Sequence, residues 1–204
     1  MAKLYFYYSA MNAGKSTTLL QSSYNYKERG METLLFAPKF DLRFGEPAIH
    51  SRIGLKQEAT LFDKEFDLFM LVVQEQKKME NLRCVLVDEA HFLTKAQVSQ
   101  LVLITKQLDI AVLAYGLRSD FLGEPFEGSP FLLVWADKLV EIKTVCYCGS
   151  KATMNMRIDP DGNPVNTGEQ VHIGGNERYL SVCMKHFIEK VGSLQEFSQE
   201  TVRI

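Results

Sequence analysis

The sequence lacks several features that would each point to a particular class of protein. It has no apolar run of the roughly 18 residues that a transmembrane helix requires, so no membrane span is expected. No Lys/Arg run is longer than Lys77-Lys78, and the net charge is −2 with a pI near 6.1. A nucleic-acid polymer is therefore disfavoured as the main partner. Internal repeats and low-complexity tracts are also missing.

The composition is that of a globular chain with one domain, or one domain and a small appendage. Of the 204 residues, 46% are hydrophobic and 24% are charged, which is enough apolar material for a sizeable core. The apolar residues ahead of Ser9-Ala10 superficially resemble a secretion signal, but the run is too short and leads directly into a turn. We therefore expect the protein in the cytoplasm.

Cysteine is scarce, and its distribution indicates a metal site. Three of the four cysteines lie in the last third of the chain, and in a reducing compartment such clustering favours metal over disulfides. Cys146, Cys148, Cys183 and His186 supply three thiolates and an imidazole, a donor set typical of tetrahedral structural Zn²⁺. The C-x-x-H spacing is common, whereas C-x-C is tight. The alternative is free buried cysteines beside a surface histidine. Cys84, inside an apolar run, is interpreted as a core residue.

The stretch from residue 9 to residue 16 has the pattern of a phosphate-binding loop between a strand and a helix. Its residues are Ser9, Ala10, Met11, Asn12, Ala13, Gly14, Lys15 and Ser16. Backbone N–H groups at a helix start bind an anion, Lys15 adds a charge on the β/γ-phosphates, and Ser16 offers a hydroxyl to Mg²⁺. Ser9 stands where the pattern has glycine, which fits if its φ stays negative. The alternative is an ordinary turn with a surface lysine.

Strand-like and helix-like segments alternate along the first two thirds of the chain. Apolar runs predict strands over 3–8, 32–37, 82–87, 110–114 and 138–143, and helical spacing predicts helices over 17–28, 65–79, 94–107 and 129–136. Thr94 is a plausible N-cap, while residues 46–64 are ambiguous. Such alternation predicts an α/β domain with a mostly parallel sheet. From Cys146 onwards the sequence becomes rich in polar and turn residues, which indicates a small second domain.

Two adjacent carboxylates, Asp88 and Glu89, follow the apolar run 82–87, where ligands of open α/β sheets bind. Asp88 would orient the Mg²⁺ and Glu89 would take a proton from an acceptor hydroxyl or water. The alternative is that both favour the N-terminus of a following helix. Residues 88–91 spell DEAH, a motif of certain helicases, but 204 residues with a metal module leave no room for the second domain that such helicases need.

Taken together, these motifs resemble the zinc-containing type II thymidine kinases. The resemblance covers residues 3–188 and includes the phosphate loop, the segment Asp41-Leu42-Arg43, the Asp88-Glu89 pair with Phe92, and the cysteine/histidine cluster. Its most specific part is the run from Gly174 to Cys183, with the pattern Gly-Gly-x-x-x-Tyr-x-Ser-Val-Cys. The implied fold is α/β, with a P-loop NTPase-like (RecA-like), mostly parallel sheet flanked by helices and a small C-terminal zinc-binding domain carrying a lasso loop.

The resemblance also implies an activity. Such kinases transfer the γ-phosphoryl group of ATP to the 5′-hydroxyl of thymidine, and of deoxyuridine, with Mg²⁺ and a structural Zn²⁺. Glu89 matches the general base, Asp88 the metal-site carboxylate and Arg43 an arginine that contacts phosphate, while Lys15 acts in catalysis and Ala90 and His91 lie at the nucleotide. A homotetramer inhibited by thymidine triphosphate is implied on the same ground.

The lasso between the zinc ligands is expected to wrap the pyrimidine and to exclude water from phosphoryl transfer. The positions that match the nucleoside site are Met11, Phe92, Leu117, Phe121, Phe126, Asn155, Gly174 and Tyr179. The implied division is an ATP-binding domain over 1–143, a zinc-binding and lasso domain over 144–191, and a tail over 192–204. Two positions depart from the family pattern, Ser9 for glycine and His91 for glutamine, and the sequence assigns His91 no role.

Two other functions are compatible with the motifs. One is a kinase for a different deoxynucleoside, and the other is a nucleotide-dependent switch or binding module whose zinc finger docks a partner protein. The thymidine kinase and both alternatives would have a phosphate loop and a metal-site carboxylate. The identity of the phosphoryl acceptor therefore distinguishes the three functions.

Overall fold

The computed structural model describes residues 1–39, 47–170 and 178–192. Two compact units are present. The first unit comprises Met1–Tyr8, Gly14–Leu117 and Phe126–Ile142, and the second comprises Ser9–Ala13, Arg118–Pro125 and Lys143–Ile204. Each unit is assembled from separate segments of the chain. The contiguous division into 1–143, 144–191 and 192–204 therefore stays a prediction.

A six-stranded sheet forms the centre of the first unit. Its strands are β1 (Leu4–Ser9), β2 (Glu32–Pro38), β5 (Thr60–Phe62), β6 (Leu82–Val87), β7 (Ala111–Leu117) and β8 (Lys138–Glu141). They lie in the order β5-β2-β6-β7-β1-β8, and the pairings of β5 with β2, β2 with β6, β6 with β7, and β1 with β8 are parallel. Parallel pairing places the carboxyl ends of β5, β2, β6 and β7 at the same end of the sheet. The predicted α/β fold with a mostly parallel sheet is confirmed.

In the described part of this unit there are four helices: α1 (Lys15–Lys27), α2 (Leu68–Lys78), α3 (Lys95–Gln107) and α4 (Ser129–Trp135). The predicted cap of α3 is confirmed, because the Thr94 hydroxyl accepts from the Gln97 N–H and the Gln97 side chain accepts from the Thr94 N–H. No helix in the described part of the chain is long and apolar enough to span a membrane.

Alternation along the strands produces two apolar cores. Leu4, Phe6, Val85 and Val87 belong to one core, whereas their strand neighbours, such as Leu86, belong to the other. Because successive side chains of a strand point to opposite faces, the two cores lie on opposite faces of the sheet. Central strands covered on both faces read as nearly continuous apolar runs, which is why the run 82–87 was predictable.

Some boundaries differ from the predictions. The strand predicted over 110–114 extends to Leu117, and the strand predicted over 138–143 ends at Glu141. The ambiguous residues 46–64 contain the hairpin of β3 (Ala48–His50) and β4 (Lys56–Glu58), followed by β5, which adds to the edge of the sheet beside β2. Three-residue strands carry too little sequence pattern to predict, since their pairing depends on the partner strand.

The second unit is a small antiparallel assembly. It contains β9 (Thr144–Val145), β10 (Lys151–Ala152), β11 (Met154–Ile158), β12 (Pro164–Val165), β13 (Tyr179–Val182) and α5 (Met184–Val191). Strand β11 lies between β12 and β13, and β9 pairs with β10. The core of this unit consists of Cys146, Ala152, Met154, Met156, Val182, Cys183, Phe187 and Val191.

Candidate active site and metal centre

The predicted phosphate loop connects β1 to α1. Its two left-handed residues are Asn12 (φ 60°) and Gly14 (φ 84°), and α1 begins directly after Gly14. Ser9 is the last residue of β1 and does not have a positive φ, and its hydroxyl donates to the Ala10 carbonyl at 2.7 Å. Serine is therefore accommodated here because the conformation that requires glycine occurs at Gly14 instead.

Ser16 and Asp88 meet in the first unit, although 72 residues separate them in sequence. The Ser16 hydroxyl donates to Asp88 Oδ2 at 2.8 Å, and Asp88 Oδ1 accepts from the Glu89 N–H at 3.0 Å. Burial, followed by the charge of Glu89, raises the pKa of Asp88 to about 7, while Ser16 and Lys15 act in the opposite direction. A hydroxyl and a carboxylate at this separation are the hard oxygen donors that Mg²⁺ prefers.

Glu89 has a backbone conformation that is rare for its residue type. Its φ is 47°, and it precedes the 3₁₀ turn Ala90–Phe92. A left-handed residue other than glycine costs free energy, and such residues cluster at functional sites. The Glu89 side chain is 22% exposed, so part of its surface is accessible to solvent.

His91 is buried directly behind this carboxylate. Its Nδ1 lies 3.6 Å from Glu89 Oε2 and accepts a hydrogen bond from the Leu117 N–H at 3.2 Å. Burial, and then the charge of Lys15, lower the pKa of His91 well below its usual value, so the imidazole is neutral. The structure thus gives the unassigned His91 a role, which is to accept the N–H of the last residue of β7.

Three of the predicted nucleoside-site residues surround His91 in the first unit. The ring centroids of Phe92 and Phe126 lie 4.0 and 4.4 Å from that of His91, and Leu117 is hydrogen-bonded to it. The Phe92 and Phe126 rings are 5.4 Å apart and nearly perpendicular. An aromatic and aliphatic surface of this kind suits a flat heterocycle.

The other predicted nucleoside-site residues that are described lie in the second unit. Asn155 Oδ1 accepts from the Met11 N–H at 2.7 Å, and its Nδ2 donates to the Ser119 carbonyl at 3.0 Å. The Ser181 hydroxyl donates to the Met11 carbonyl. Asn155 and Ser181 are register partners on β11 and β13. One cross-strand pair therefore binds both the backbone N–H and the backbone carbonyl of Met11.

Phe121 and Tyr179 share a partner that the sequence motifs did not indicate. The Arg157 guanidinium stacks on Phe121 and donates to the Tyr179 hydroxyl. Neither Arg157 nor Ser181 was predicted as a site residue. Ser181 lies inside the specific Tyr-x-Ser-Val-Cys pattern, which was a usable signal, whereas a single arginine in a short strand carries none.

Two predicted site residues lie outside the described residues. These are Arg43, together with its neighbours Asp41 and Leu42, and Gly174 in the lasso. Their predicted contacts with phosphate and with the nucleoside stay predictions.

The four predicted metal ligands come together in the second unit. The ligand atoms of Cys146, Cys148, Cys183 and His186 all lie within 4.8 Å of one another. His186 Nδ1 is 3.3 Å from Cys146 Sγ and 3.4 Å from Cys183 Sγ, and the Cys148 and Cys183 sulfurs are 3.9 Å apart. Bonds of ~2.3 Å in a tetrahedral Zn²⁺ site place sulfur ligands about 3.8 Å apart, so the cluster fits a zinc centre.

The Cys146 sulfur has an environment suited to a thiolate, whereas burial and the neighbouring Cys146 and Cys148 sulfurs raise the pKa of Cys183. Burial opposes ionisation of Cys146, but hydrogen bonds from the backbone of Cys148 and Cys183 and from His186 lower its pKa to about 6. In contrast, burial raises the pKa of Cys84 to about 12, and Cys84 packs in the first unit. Cys84 is thus a core residue, as predicted, and takes no part in the cluster.

Comparison with known proteins identifies the family. The model of the thymidine kinase family matches residues 2–187. A thymidine kinase of Coxiella burnetii is 62% identical over 92% of this chain and 95% of its own length, and that of Photorhabdus laumondii is 55% identical over 99% and 100%. Thymidine kinase of Legionella pneumophila (strain Paris) is 60% identical over 92% and 90%.

A Pif1 helicase structure from Candida albicans matches 69% of this chain and 36% of its own, with a TM-score of 0.41 and 15% identity. That likeness is too weak to bear on function. The residues matched by the family model, 2–187, include both the phosphate loop and the cysteine/histidine cluster. The chain belongs to the thymidine kinase family.

Proposed function

We propose that this chain transfers the γ-phosphoryl group of ATP to the 5′-hydroxyl of thymidine, and of deoxyuridine. The observation that carries the proposal is the contact of Ser16 with Asp88 beside Glu89, in a chain that belongs to the thymidine kinase family. This contact brings the phosphate loop to a carboxylate pair, which is the arrangement that phosphoryl transfer requires.

Each functional residue of the first unit is assigned a different chemical role. Lys15 and the N–H groups at the start of α1 hold the β- and γ-phosphates. Ser16 and Asp88 would hold Mg²⁺, which when bound neutralises negative charge on the phosphates. Glu89 accepts the proton of the 5′-hydroxyl as the nucleophile attacks, and the partly exposed side chain of Glu89 is compatible with that access. Arg43 is assigned a phosphate contact from the family resemblance.

Acceptor recognition is assigned to the remaining predicted residues. Phe92, Leu117 and Phe126 present apolar surface to the thymine ring, and Ala90 and His91 support the turn that carries Glu89. The same role in nucleoside binding is proposed for further residues of the predicted site, namely Met11, Phe121, Asn155, Gly174 and Tyr179. Other bases would leave polar groups of the binding site unpaired, and this cost would exclude them.

The organisation of the protein is proposed on the family resemblance. Residues 1–143 bind ATP, residues 144–191 hold a structural Zn²⁺ and the lasso, and residues 192–204 are a tail. The protein acts in the cytoplasm as a homotetramer inhibited by thymidine triphosphate. Light scattering after gel filtration tests the assembly, and inhibition of initial rates by thymidine triphosphate tests the regulation.

The acceptor is tested by ADP release with thymidine, deoxyuridine, deoxycytidine, deoxyguanosine or no acceptor. Release that depends on thymidine or deoxyuridine supports the proposal. A preference for another nucleoside favours the related kinase, and release without acceptor favours a nucleotide-dependent switch. Lys15→Met is expected to be inactive, while Lys27→Met, at the exposed end of α1, is the matched control with normal activity.

A further inference from the structure

Arg157 is a buried cation in the second unit. It lies on β11 with 7% of its surface exposed, and its Cζ is 3.8 Å from the ring centroid of Phe121. Among the described residues, its hydrogen-bond acceptors are a hydroxyl and a backbone carbonyl, and none of them is a carboxylate. Burial of a charge is unfavourable, so the contacts that the guanidinium makes must offset that cost.

The hydrogen bonds of Arg157 reach residues on both sides of the segment 171–177. Its Nε and Nη2 donate to the Tyr179 hydroxyl at 3.0 and 2.7 Å, and Nη2 also donates to the Glu169 carbonyl at 3.0 Å. Gly168 lies against the same group, since a Cβ at Gly168 would be 3.5 Å from Nη1. A single planar side chain thus fixes residue 169 and residue 179 relative to each other.

A second contact fixes the chain just before the same segment. Gln170 Nε2 donates to Asp120 Oδ2 at 3.0 Å. Asp120 is itself held in place, because its Oδ1 accepts from the N–H groups of Leu122 and Glu124 at 2.8 and 2.9 Å. The two residues that precede the segment are therefore anchored to two buried side chains, Arg157 and Asp120.

Tyr179 depends most on this arrangement. It is the register partner of Arg157 on β13, and its hydroxyl accepts two hydrogen bonds from one guanidinium. Two bonds from a planar fork fix both the position and the direction of the hydroxyl, which a lysine ammonium cannot do. The ring of Tyr179 is thereby held in one orientation.

We propose that Arg157 is a positioning residue for the nucleoside acceptor, acting through Tyr179 and the Glu169 carbonyl. This inference rests on the proposed function, in which Tyr179 contacts the nucleoside. Arg157 itself need not touch the substrate. Its loss should weaken binding of thymidine selectively, because the contacts lie within the predicted lasso and none of them involves Lys15, Ser16, Asp88 or Glu89.

The kinetic test compares Arg157→Met, Arg157→Lys, Tyr179→Phe and the double variant Arg157→Met/Tyr179→Phe. The matched control is Arg83→Met, which removes an exposed arginine from β6. In both Arg157 variants we expect the KM for thymidine to rise about tenfold or more, with the KM for ATP and kcat within about twofold of wild type. Arg157→Met should raise the KM by a smaller factor in the Tyr179→Phe background than in wild type.

Amide hydrogen exchange provides a readout that does not depend on activity. Exchange at Leu180–Val182 and at Glu169 and Gln170 should be faster in Arg157→Met than in Arg83→Met. If wild type fails to phosphorylate thymidine, the proposed function fails, yet exchange still decides whether Arg157 anchors these residues. The inference would be overturned by unchanged exchange or by an unchanged KM for thymidine. It would also be overturned if the KM values for thymidine and ATP rose equally while the melting temperature fell.

Discussion

Gly128 is the position where one added methyl group tests the packing of the turn that follows Glu89. A Cβ at Gly128 would lie 2.7 Å from the Leu93 carbonyl oxygen and 2.9 Å from that of Ala90. Both are backbone atoms, so neither can rotate away from the clash. The φ of Gly128 is −80°, which alanine adopts freely, and the effect of Gly128→Ala is therefore steric.

The expected loss of stability follows from two opposing contributions. Overpacking costs about 1–3 kcal/mol, and the lower entropy of the unfolded alanine chain returns about 0.4–1 kcal/mol. Taken at the middle of each range, the net destabilisation is about 1 kcal/mol, which lowers the melting temperature of a chain of this size by about 2–4 °C. Since the displaced turn begins at Glu89, kcat/KM should fall about tenfold, given that a misplacement of ~1 Å can cost about 10²-fold.

Thermal unfolding and steady-state kinetics measure the two effects, and Gly54→Ala is the matched control. Gly54 has open space around it but a φ of 86°, so alanine there costs ~1–2 kcal/mol through backbone strain. Gly54 lies in the hairpin of β3 and β4, and its variant should lose stability while kcat/KM stays normal. A Gly128→Ala protein with wild-type stability and activity, or a Gly54→Ala protein equally impaired in catalysis, would refute the reasoning.

Three further predictions concern the base, the metal centre and a helix cap. Glu89→Gln should lower kcat about 10²- to 10⁴-fold while ADP binding, measured by calorimetry, persists, and a nearly active variant would remove Glu89 from its proposed role. Metal analysis should find about one zinc per chain, as one tetrahedral four-ligand cluster holds a single ion, whereas Cys183→Ser should lose zinc and gain protease cuts between Arg157 and Arg178. Protein purified without chelators that lacks zinc would contradict this. Thr94→Ala should cost about 1 kcal/mol in urea unfolding because it breaks the capping box, and Thr94→Ser should retain most of the stability.

Those parts of the fold that depend on local signals were predictable from the sequence. The strand Leu82–Val87 was predicted with its observed bounds, because a short apolar run bounded by polar residues suits a central parallel strand. Thr94 with Gln97 three residues later is a local cap signal. The hairpin of β3 and β4 and the edge strand β5 were missed, since strands of three residues are determined by their neighbours and not by their own pattern.

In the candidate site, too, the contacts between motif residues could be predicted from the sequence, whereas others could not. Ser16 and Asp88 are each part of a recognisable motif, so their contact across 72 residues could be anticipated from the phosphate-loop pattern. The contacts of Arg157 with Tyr179 could not, because they depend on how β11 and β13 are aligned. The register of two short strands follows from packing and turn geometry, which no motif in the chain specifies.

At position 91 this chain has histidine where the family pattern has glutamine, and one hydrogen bond determines which form of that histidine is present. Because Nδ1 accepts from the Leu117 N–H, it carries no proton, and burial together with Lys15 keeps the ring neutral. His91 therefore cannot donate from Nδ1 to Glu89 Oε2, although the two atoms are 3.6 Å apart. An imidazolium at this distance would stabilise the carboxylate and weaken it as a base. A neutral histidine instead supports the turn without reducing the basicity that Glu89 needs in its proposed role as the general base.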